Sequence, residues 1–204
     1  MWLGKRAFDF FLVLIGLIVL SPVFIIVSIW IKATSPGPIF YRQLRVGKNE
    51  VPFYIYKFRT MNVDSDKRGL QITVGEDPRI TSCGKILRKF KIDEFPQLID
   101  VLLGRMSLVG PRPEVPKYVE KYPRQLRQEI FKLRPGITDW ASIEYKDEST
   151  ILGKAEFPEK AYIEEVLPVK LKFVEKYLTN ASFTQDLKII FLTFSKVFGR
   201  GSNE

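Results

Sequence analysis

The sequence predicts an α+β fold that is mostly helical, with a re-entrant membrane segment (helix, break, helix), a small β element and amphipathic helices at the membrane surface. An uncharged N-terminal run, one alternating segment and helical periodicity in the C-terminal half predict it. With 46% hydrophobic and 27% charged residues in 204, the chain suits one globular domain with an appendage. We divide it into a membrane hairpin, 1–34, and a cytoplasmic domain at the membrane surface, 35–204.

The hydrophobic segment from Phe10 to Ile31 has 22 residues without a charge. A straight helix of this length would reach about 33 Å, enough to span a bilayer core. Ser21 and Pro22 stand at its midpoint, where proline removes a helical hydrogen bond and serine can bond a freed carbonyl. Basic residues flank both ends, so the positive-inside rule places both ends in the cytoplasm. This pattern predicts a re-entrant break at Ser21 and Pro22; a transmembrane helix with a mild kink is the alternative.

The charge distribution predicts an anionic neighbour for the N-terminal half. Residues 1–112 hold 17 Lys and Arg against 9 Asp and Glu, whereas residues 113–204 are nearly balanced. Lipid head groups, phosphates or nucleic acid would satisfy that excess. The chain has no histidine, which excludes Ser-His-Asp triads and histidine-ligated zinc. Its single cysteine, Cys83, cannot form an internal disulfide.

The segment after the hydrophobic run predicts a β hairpin followed by a loop and two helices. Residues 35–48 form a turn and a short strand, and 51–61 alternate as a half-buried strand that places Lys57 and Arg59 on one face. Residues 64–84 are polar and predict a loop, for which a role as a mobile lid is open. A short helix is expected over 85–90, and Asp93 is expected to cap the next helix, which begins at Glu94.

The C-terminal half predicts further helices with proline interruptions. Residues 114–134 show a helical pattern broken at Pro123, and 134–145 predict a turn that leads into a short strand. A helix with a bend before Pro168 is expected over 159–178. Residues 183–200 predict an amphipathic helix, either at the membrane interface or packed on the core. Its apolar stripe consists of Phe183, Leu187, Phe191, Phe194 and Phe198.

The adjacent carboxylates Asp93 and Glu94 stand among the cations Arg88, Lys91 and Arg112. A helix cap and a favourable first-turn charge would explain the pair structurally. A carboxylate that neighbouring cations keep strongly ionised can also attack phosphorus, and a second carboxylate suits Mg²⁺ beside substrate phosphates. The rigid Gly-Pro-Arg-Pro segment would hold Arg112 for phosphate contact. From these residues alone, a phosphate site and a purely structural role are the two interpretations.

Four motifs then identify a family resemblance. KFRTM at 57–61, DPRIT at 77–81, LRKFKIDEFPQLIDVLLGRMSLVGPRP at 87–113 and RPGIT at 134–138 follow the hydrophobic segment in that order. This series resembles the bacterial sugar transferases, the monotopic phosphoglycosyl transferases that begin glycoconjugate assembly. The resemblance covers about residues 1–145 and is to the minimal form of the family.

The resemblance implies transfer of a sugar-1-phosphate from a UDP-sugar to polyprenyl (undecaprenyl) phosphate, with release of UMP. It implies that Asp93 is the nucleophile, forming a covalent phosphosugar intermediate, and that Glu94 binds Mg²⁺ and assists catalysis. The cations expected around the substrate phosphates are Lys57, Arg59, Arg88 and Arg112. Residues 35–204 would then be the catalytic domain, on the cytoplasmic face of the bacterial inner membrane.

Other functions are weighed against this enzyme. A non-enzymatic, membrane-anchored basic adaptor that binds anionic lipid or an acidic partner would explain the hairpin and the basic half, but not the acidic pair beside Gly-Pro-Arg-Pro. Nucleic acid is not expected as a partner, since no helix-turn-helix, RRM or zinc-finger signature is present. Membrane lipids are expected partners, and a homodimer is left open.

Overall fold

The computed structural model describes residues 2–63, 65, 72–75, 77–145 and 148–198. Helices predominate, and the four strands of the described part form two separate pairs. The helices and strands, in chain order, are α1 Lys5–Thr34, β1 Phe40–Val46, β2 Pro52–Phe58, α2 Ser82–Lys89, α3 Gln97–Leu102, β3 Ser107–Val109, α4 Pro116–Val119, α5 Arg124–Ile130, β4 Gly136–Thr138, α6 Trp140–Glu144, α7 Glu148–Gly153, α8 Pro158–Ala161, α9 Leu167–Asn180 and α10 Phe183–Phe198. The mostly helical α+β class is therefore confirmed.

The N-terminal helix α1 is long and apolar enough to cross a membrane, and it is the single helix in the described part of the chain with that property. It continues through Pro22 as one helix, and the Ser21 hydroxyl donates a 2.8 Å hydrogen bond to the Ile18 carbonyl. The backbone thus shows a proline inside a continuous helix where the sequence predicts a break. The re-entrant topology stays a prediction.

Two small β elements form the frame of the fold. β1 and β2 pair antiparallel as a hairpin, with Phe40 opposite Phe58 and Val46 opposite Pro52. β3 and β4 pair in parallel, with Ser107 opposite Gly136. The hairpin agrees with the alternating pattern of the sequence.

Apolar side chains from α1 pack on the rest of the molecule at two places. Val13 packs in a cluster with Ile55, Val101 and Met106, whereas the C-terminal half of α1 packs in a second cluster around Phe58. A third and larger cluster joins α4, α5, α8 and α9. Both halves of α1 therefore contact the same body of the protein, which matters for its position in a membrane.

One local prediction is right in part and another is wrong. The short strand predicted within 134–145 is β4, but helix α6 follows it, because the Asp139 carboxylate caps this helix by accepting a 2.7 Å hydrogen bond from the Ser142 amide. Asp93 does not cap α3; it lies in a short 3₁₀ turn, Ile92–Glu94, and Pro96 precedes the first helical residue. The cap prediction failed because Asp93 lies four residues before Gln97, the first residue of α3, and Pro96 occupies the cap position.

The C-terminal helices agree with the sequence. A π-helical turn, Tyr162–Val166, joins α8 to α9 just before Pro168, where a bend is predicted. In α10, Ile189 is buried, whereas Phe191 and Phe194 are 70% and 59% exposed. The described part of the stripe, from Phe183 to Phe194, is therefore exposed, as an interfacial helix requires. Residues 199–200 of this predicted helix and residues 64, 66–71 and 76 of the predicted lid, 64–84, lie outside the described residues. The last three residues of the predicted lid, 82–84, form the first turn of α2 instead.

Candidate active site

The motifs KFRTM and DPRIT lie side by side. Met61 and Ile80 form an antiparallel β bridge, and the Thr81 amide donates a 2.9 Å hydrogen bond to the Thr60 carbonyl. Gly84 packs so closely on Thr60 that a Cβ at this glycine would lie 2.1 Å from the Thr60 carbonyl oxygen. This close approach holds the start of α2 against the end of β2, so that two motifs distant in sequence form one wall of a site.

The GPRP and RPGIT motifs also pair with each other. Gly110 and Gly136 approach so closely that a Cβ on Gly136 would lie 2.1 Å from the Gly110 nitrogen. The Gly136 amide donates a 2.9 Å hydrogen bond to the Pro111 carbonyl. Glycine is needed at both positions because any side chain would separate the two backbones. This contact fixes the segment that carries Arg112.

Glu94 is the centre of a half-buried ion-pair network. Its Oε1 accepts a 2.9 Å hydrogen bond from Lys57 Nζ and a second from Arg112 Nη2, and its Oε2 accepts a 3.2 Å hydrogen bond from Arg112 Nη1. Arg112 Nη1 also donates to the Ile137 carbonyl at 3.3 Å. Burial acts to raise the pKa of Glu94, but Arg112 and Lys57 lower it well below its usual range. Glu94 is therefore an ionised group that holds two cations in place.

Asp93 faces the other way, into a cavity of about 650 Å³. Its side chain is 7% exposed and, within the described residues, accepts no hydrogen bond. The residue before its 3₁₀ turn, Lys91, has a φ of 56°, a left-handed conformation that is uncommon for a residue with a side chain. The backbone thus aims a bare carboxylate into a solvent-filled space.

The electrostatics distinguish the two carboxyl groups. Burial raises the pKa of Asp93, and the neighbouring charge of Glu94 raises it further, while Lys57 and Arg88 act in the opposite direction. The sequence predicts that cationic neighbours keep Asp93 strongly ionised. This prediction is wrong, because Arg112 pairs with Glu94 instead and the pKa of Asp93 is raised. A less stabilised carboxylate is a more basic one, and a more basic oxygen is the better nucleophile.

The predicted phosphate-binding cations occupy different positions. Lys57 and Arg88 line the Asp93 cavity; Arg88 is held by hydrogen bonds of 2.9 Å from its Nε to Thr60 Oγ1 and from its Nη1 to Thr73 Oγ1. Arg59 also borders the cavity, but its guanidinium donates to the Ser35 and Pro36 carbonyls at the end of α1. In the structure Arg59 therefore caps the C-terminus of the membrane helix, and its phosphate role stays a prediction.

Sequence reasoning missed several polar groups of the cavity. Arg79, within the DPRIT motif, lines the cavity and its Nε donates to Asp77 Oδ1 at 2.9 Å. Arg42 also lines it, with its guanidinium 5.1 Å from the ring centroid of Tyr54. The motif itself was a signal for Arg79, since DPRIT is one of the four motifs that identify the family resemblance. No local pattern marks Arg42 and Tyr54, which the hairpin brings together across the strands.

Comparison with known proteins agrees with the motif series. The family described as bacterial sugar transferase matches residues 1–200. The chain is 37% identical over 198 residues to the UDP-glucose:undecaprenyl-phosphate glucose-1-phosphate transferase of Escherichia coli (strain K12), covering 95% of this chain and 40% of that protein. It is 35% identical over 195 residues to the UDP-N-acetylgalactosamine-undecaprenyl-phosphate N-acetylgalactosaminephosphotransferase of Aeromonas hydrophila, covering 95% of this chain and 43% of that protein.

A third relative has a similar length. The exopolysaccharide production protein PSS of Rhizobium leguminosarum bv. phaseoli is 38% identical over 212 residues, which cover 97% of this chain and 96% of that protein. The chain spans less than half the length of the first two relatives. The match to the family over nearly the whole sequence, together with the paired motifs around Asp93 and Glu94, shows that the chain belongs to the bacterial sugar transferase family.

Proposed function

We propose that the protein transfers a sugar-1-phosphate from a UDP-sugar to undecaprenyl phosphate, with release of UMP, through a covalent phosphosugar intermediate on Asp93. The single observation that carries the proposal is the bare, buried carboxylate of Asp93 in a cavity with Lys57 and Arg88. The names of the two longer relatives, both transferases that act on undecaprenyl phosphate, support the donor and acceptor classes.

In the first step, one Oδ of Asp93 attacks the sugar-bearing phosphorus of the donor. A bond forms between this oxygen and phosphorus, the phosphorus–oxygen bond to UMP breaks, and its electron pair leaves with UMP. Lys57 and Arg88, which border the same cavity, are placed to hold the phosphate oxygens and to stabilise their developing charge. A phosphate leaving group departs as an anion and needs no proton, which suits a chain without histidine.

In the second step, an oxygen of the acceptor phosphate attacks the same phosphorus. The new bond forms as the bond to Asp93 breaks, and the carboxylate of Asp93 is regenerated. Glu94 supports both steps by its position and its charge. It is ionised and holds Lys57 and Arg112 in place. Burial and the charge of Glu94 together raise the pKa of Asp93. An ionised Glu94 has no proton to donate, so we assign it no role as a general acid.

Mg²⁺ is part of the proposal, with Glu94 as its protein ligand. Among the described residues no group of three or more Asp, Glu or Cys side chains could hold a metal, so the substrate phosphates would supply further ligands. Mg²⁺ prefers oxygen ligands and takes one or two carboxylates together with substrate phosphates. Glu94 Oε2 accepts one hydrogen bond in the described structure, so a lone pair is left for a metal. When bound there, Mg²⁺ would neutralise phosphate charge. Excess EDTA should stop turnover, and an undiminished rate in EDTA would remove the metal from the mechanism.

A monotopic position at the cytoplasmic face of the bacterial inner membrane is also part of the proposal. At its N-terminal end, Lys5 of α1 pairs with Asp186 of α10; at its C-terminal end, the Ser35 carbonyl accepts from Arg59. Both ends of α1 are thus bound to one charged body, which cannot extend across a hydrocarbon core. Cysteine labelling of the exposed positions 3 and 33, near the two ends of α1, tests this: both should react only from the cytoplasmic side, and opposite accessibility would show a spanning helix.

The experiment that tests the chemistry is capture of the intermediate. The protein is mixed with an isotopically labelled UDP-sugar without acceptor, quenched and digested. We expect one equivalent of UMP and a sugar-phosphate on the peptide that contains Asp93. Turnover without any such adduct would refute the covalent mechanism. Family membership does not favour the basic adaptor, which predicts neither UMP nor adduct.

A further inference from the structure

A second cavity lies on the other side of the Glu94–Arg112 pair from Asp93. It has a volume of about 270 Å³ and a predominantly apolar lining. Its walls come from α1, α3, β3, β4, α6 and α10, and they include Leu20, Leu98, Leu108, Ile143 and Phe194. We name this space the α10 groove.

Cations also border the α10 groove. They are Lys89, Lys91, Arg112 and Lys196, and one carboxylate, Glu94, stands with them. Arg112 pairs with Glu94 and Lys196 Nζ donates to the Ile143 carbonyl at 2.9 Å, whereas Lys89 and Lys91 are exposed. An apolar cavity bordered by cations matches a molecule with an apolar chain and a phosphate at one end.

The lining of the groove also includes residues from surfaces that suit lipid. Leu20 directly precedes Ser21 and Pro22 in the middle of α1, and Phe194 belongs to the exposed stripe of α10. The groove therefore connects the apolar membrane helix to the edge of the catalytic site. Its volume is below the range of about 300–1,000 Å³ typical of sites for drug-sized ligands, so it can hold only the part of a long chain nearest the phosphate.

We propose that the α10 groove binds the isoprenoid chain of the polyprenyl phosphate acceptor and that the phosphate of the acceptor lies beside Lys91 and Arg112. This inference rests on the proposed function and adds a location for one substrate. Glu94 borders the groove while the preceding residue, Asp93, lines the 650 Å³ cavity, so the sugar nucleotide and the isoprenoid chain occupy separate compartments. Only their reacting groups meet: in the second displacement the acceptor oxygen takes the position that UMP leaves.

Thr193 offers a test with a matched control. Its hydroxyl lies 2.8 Å from that of Thr138, on the wall of the groove. Thr193→Trp fills the groove, whereas Thr193→Val keeps the side-chain volume and removes the hydroxyl's contacts with Thr138 and the Ile189 carbonyl. We expect Thr193→Trp to lower kcat/KM for a long-chain polyprenyl phosphate by at least about tenfold, because a filled site excludes its ligand. The loss for a phosphate that carries a single isoprene unit should be smaller, and any effect of Thr193→Val should be the same for both acceptors.

The two half-reactions separate this inference from the proposed function. Without acceptor, UMP release reports on the reaction at Asp93 alone, and it should persist in Thr193→Trp. If the wild-type protein released no UMP without acceptor, the covalent mechanism itself would be contradicted. Equal loss for long and short acceptors would overturn the groove assignment.

Photocrosslinking of the wild-type protein provides an independent test. A polyprenyl phosphate with a diazirine near its phosphate should label β4 or α10, and unlabelled polyprenyl phosphate should compete. Labelling of the β1–β2 hairpin, or equal competition by a phospholipid, would contradict the inference.

Discussion

Asp93→Asn separates a chemical role from a structural one. The side chain of Asp93 accepts no hydrogen bond from the described residues, so the amide should lose no bond that the carboxylate made. The raised pKa means that the ionised group opposes folding: its contribution to stability falls as pH rises through the folded pKa. The substitution should therefore cost less than about 0.5 kcal/mol, or lower the melting temperature by less than about 2 °C for a chain of this size.

The effect on activity should be far larger. Without the attacking oxygen, we expect kcat to fall by at least about a thousandfold, which corresponds to about 4 kcal/mol of activation free energy. The measurements are UMP release from a UDP-sugar and thermal unfolding of the same purified preparation. The combination matters because neither result alone distinguishes a lost nucleophile from a damaged fold.

Asp186→Asn is the matched stability control. Asp186 is also buried, but it accepts hydrogen bonds from Lys5, Trp2 and Tyr177. Breaking a buried ion pair costs about 3–5 kcal/mol, so its melting temperature should fall by about 6 °C or more. Asp93→Asn with a similar fall in melting temperature, or with more than about a tenth of wild-type activity, would refute the reasoning.

Three further substitutions test other parts of the structure. Arg112→Lys keeps the charge but loses the contact of two guanidinium nitrogens with Glu94. We expect kcat/KM to fall by about 10–100-fold while the melting temperature changes little, and an unchanged kcat/KM would contradict a role for this two-nitrogen contact. Lys5→Met leaves the buried Asp186 without its cation, and chemical denaturation should show a loss of about 3–5 kcal/mol; a loss below about 1 kcal/mol would show that the pair is dispensable. The pKa of Glu114 is held below its usual value because cations outweigh the effect of burial, so its contribution is present above the unfolded pKa and disappears as pH falls through the folded pKa. Glu114→Gln should thus be less stable than wild type at pH 7 by about 1–3 kcal/mol, and the difference should shrink toward pH 4; a pH-independent difference would contradict this.

Local patterns determined much of this protein. The uncharged run gave α1 its length, strict alternation predicted the β1–β2 hairpin, and Pro123 and Pro168 marked the interruptions in the later helices. These features depend on neighbouring residues and on the backbone limits of proline, so sequence alone reveals them. The acidic pair also stood out, because its motif is contiguous.

The tertiary structure determined which contacts each of those residues makes. Which carboxylate meets Arg112 depends on the contact of Gly110 with Gly136, two residues far apart in sequence, and the ion pair went to Glu94. Arg59 lies at the end of α1 because the hairpin is packed there, and the stripe of α10 is exposed because Ile189 faces the core instead. Charge partners and burial are set by approaches in space, and a pattern of neighbours along the chain contains no information about them.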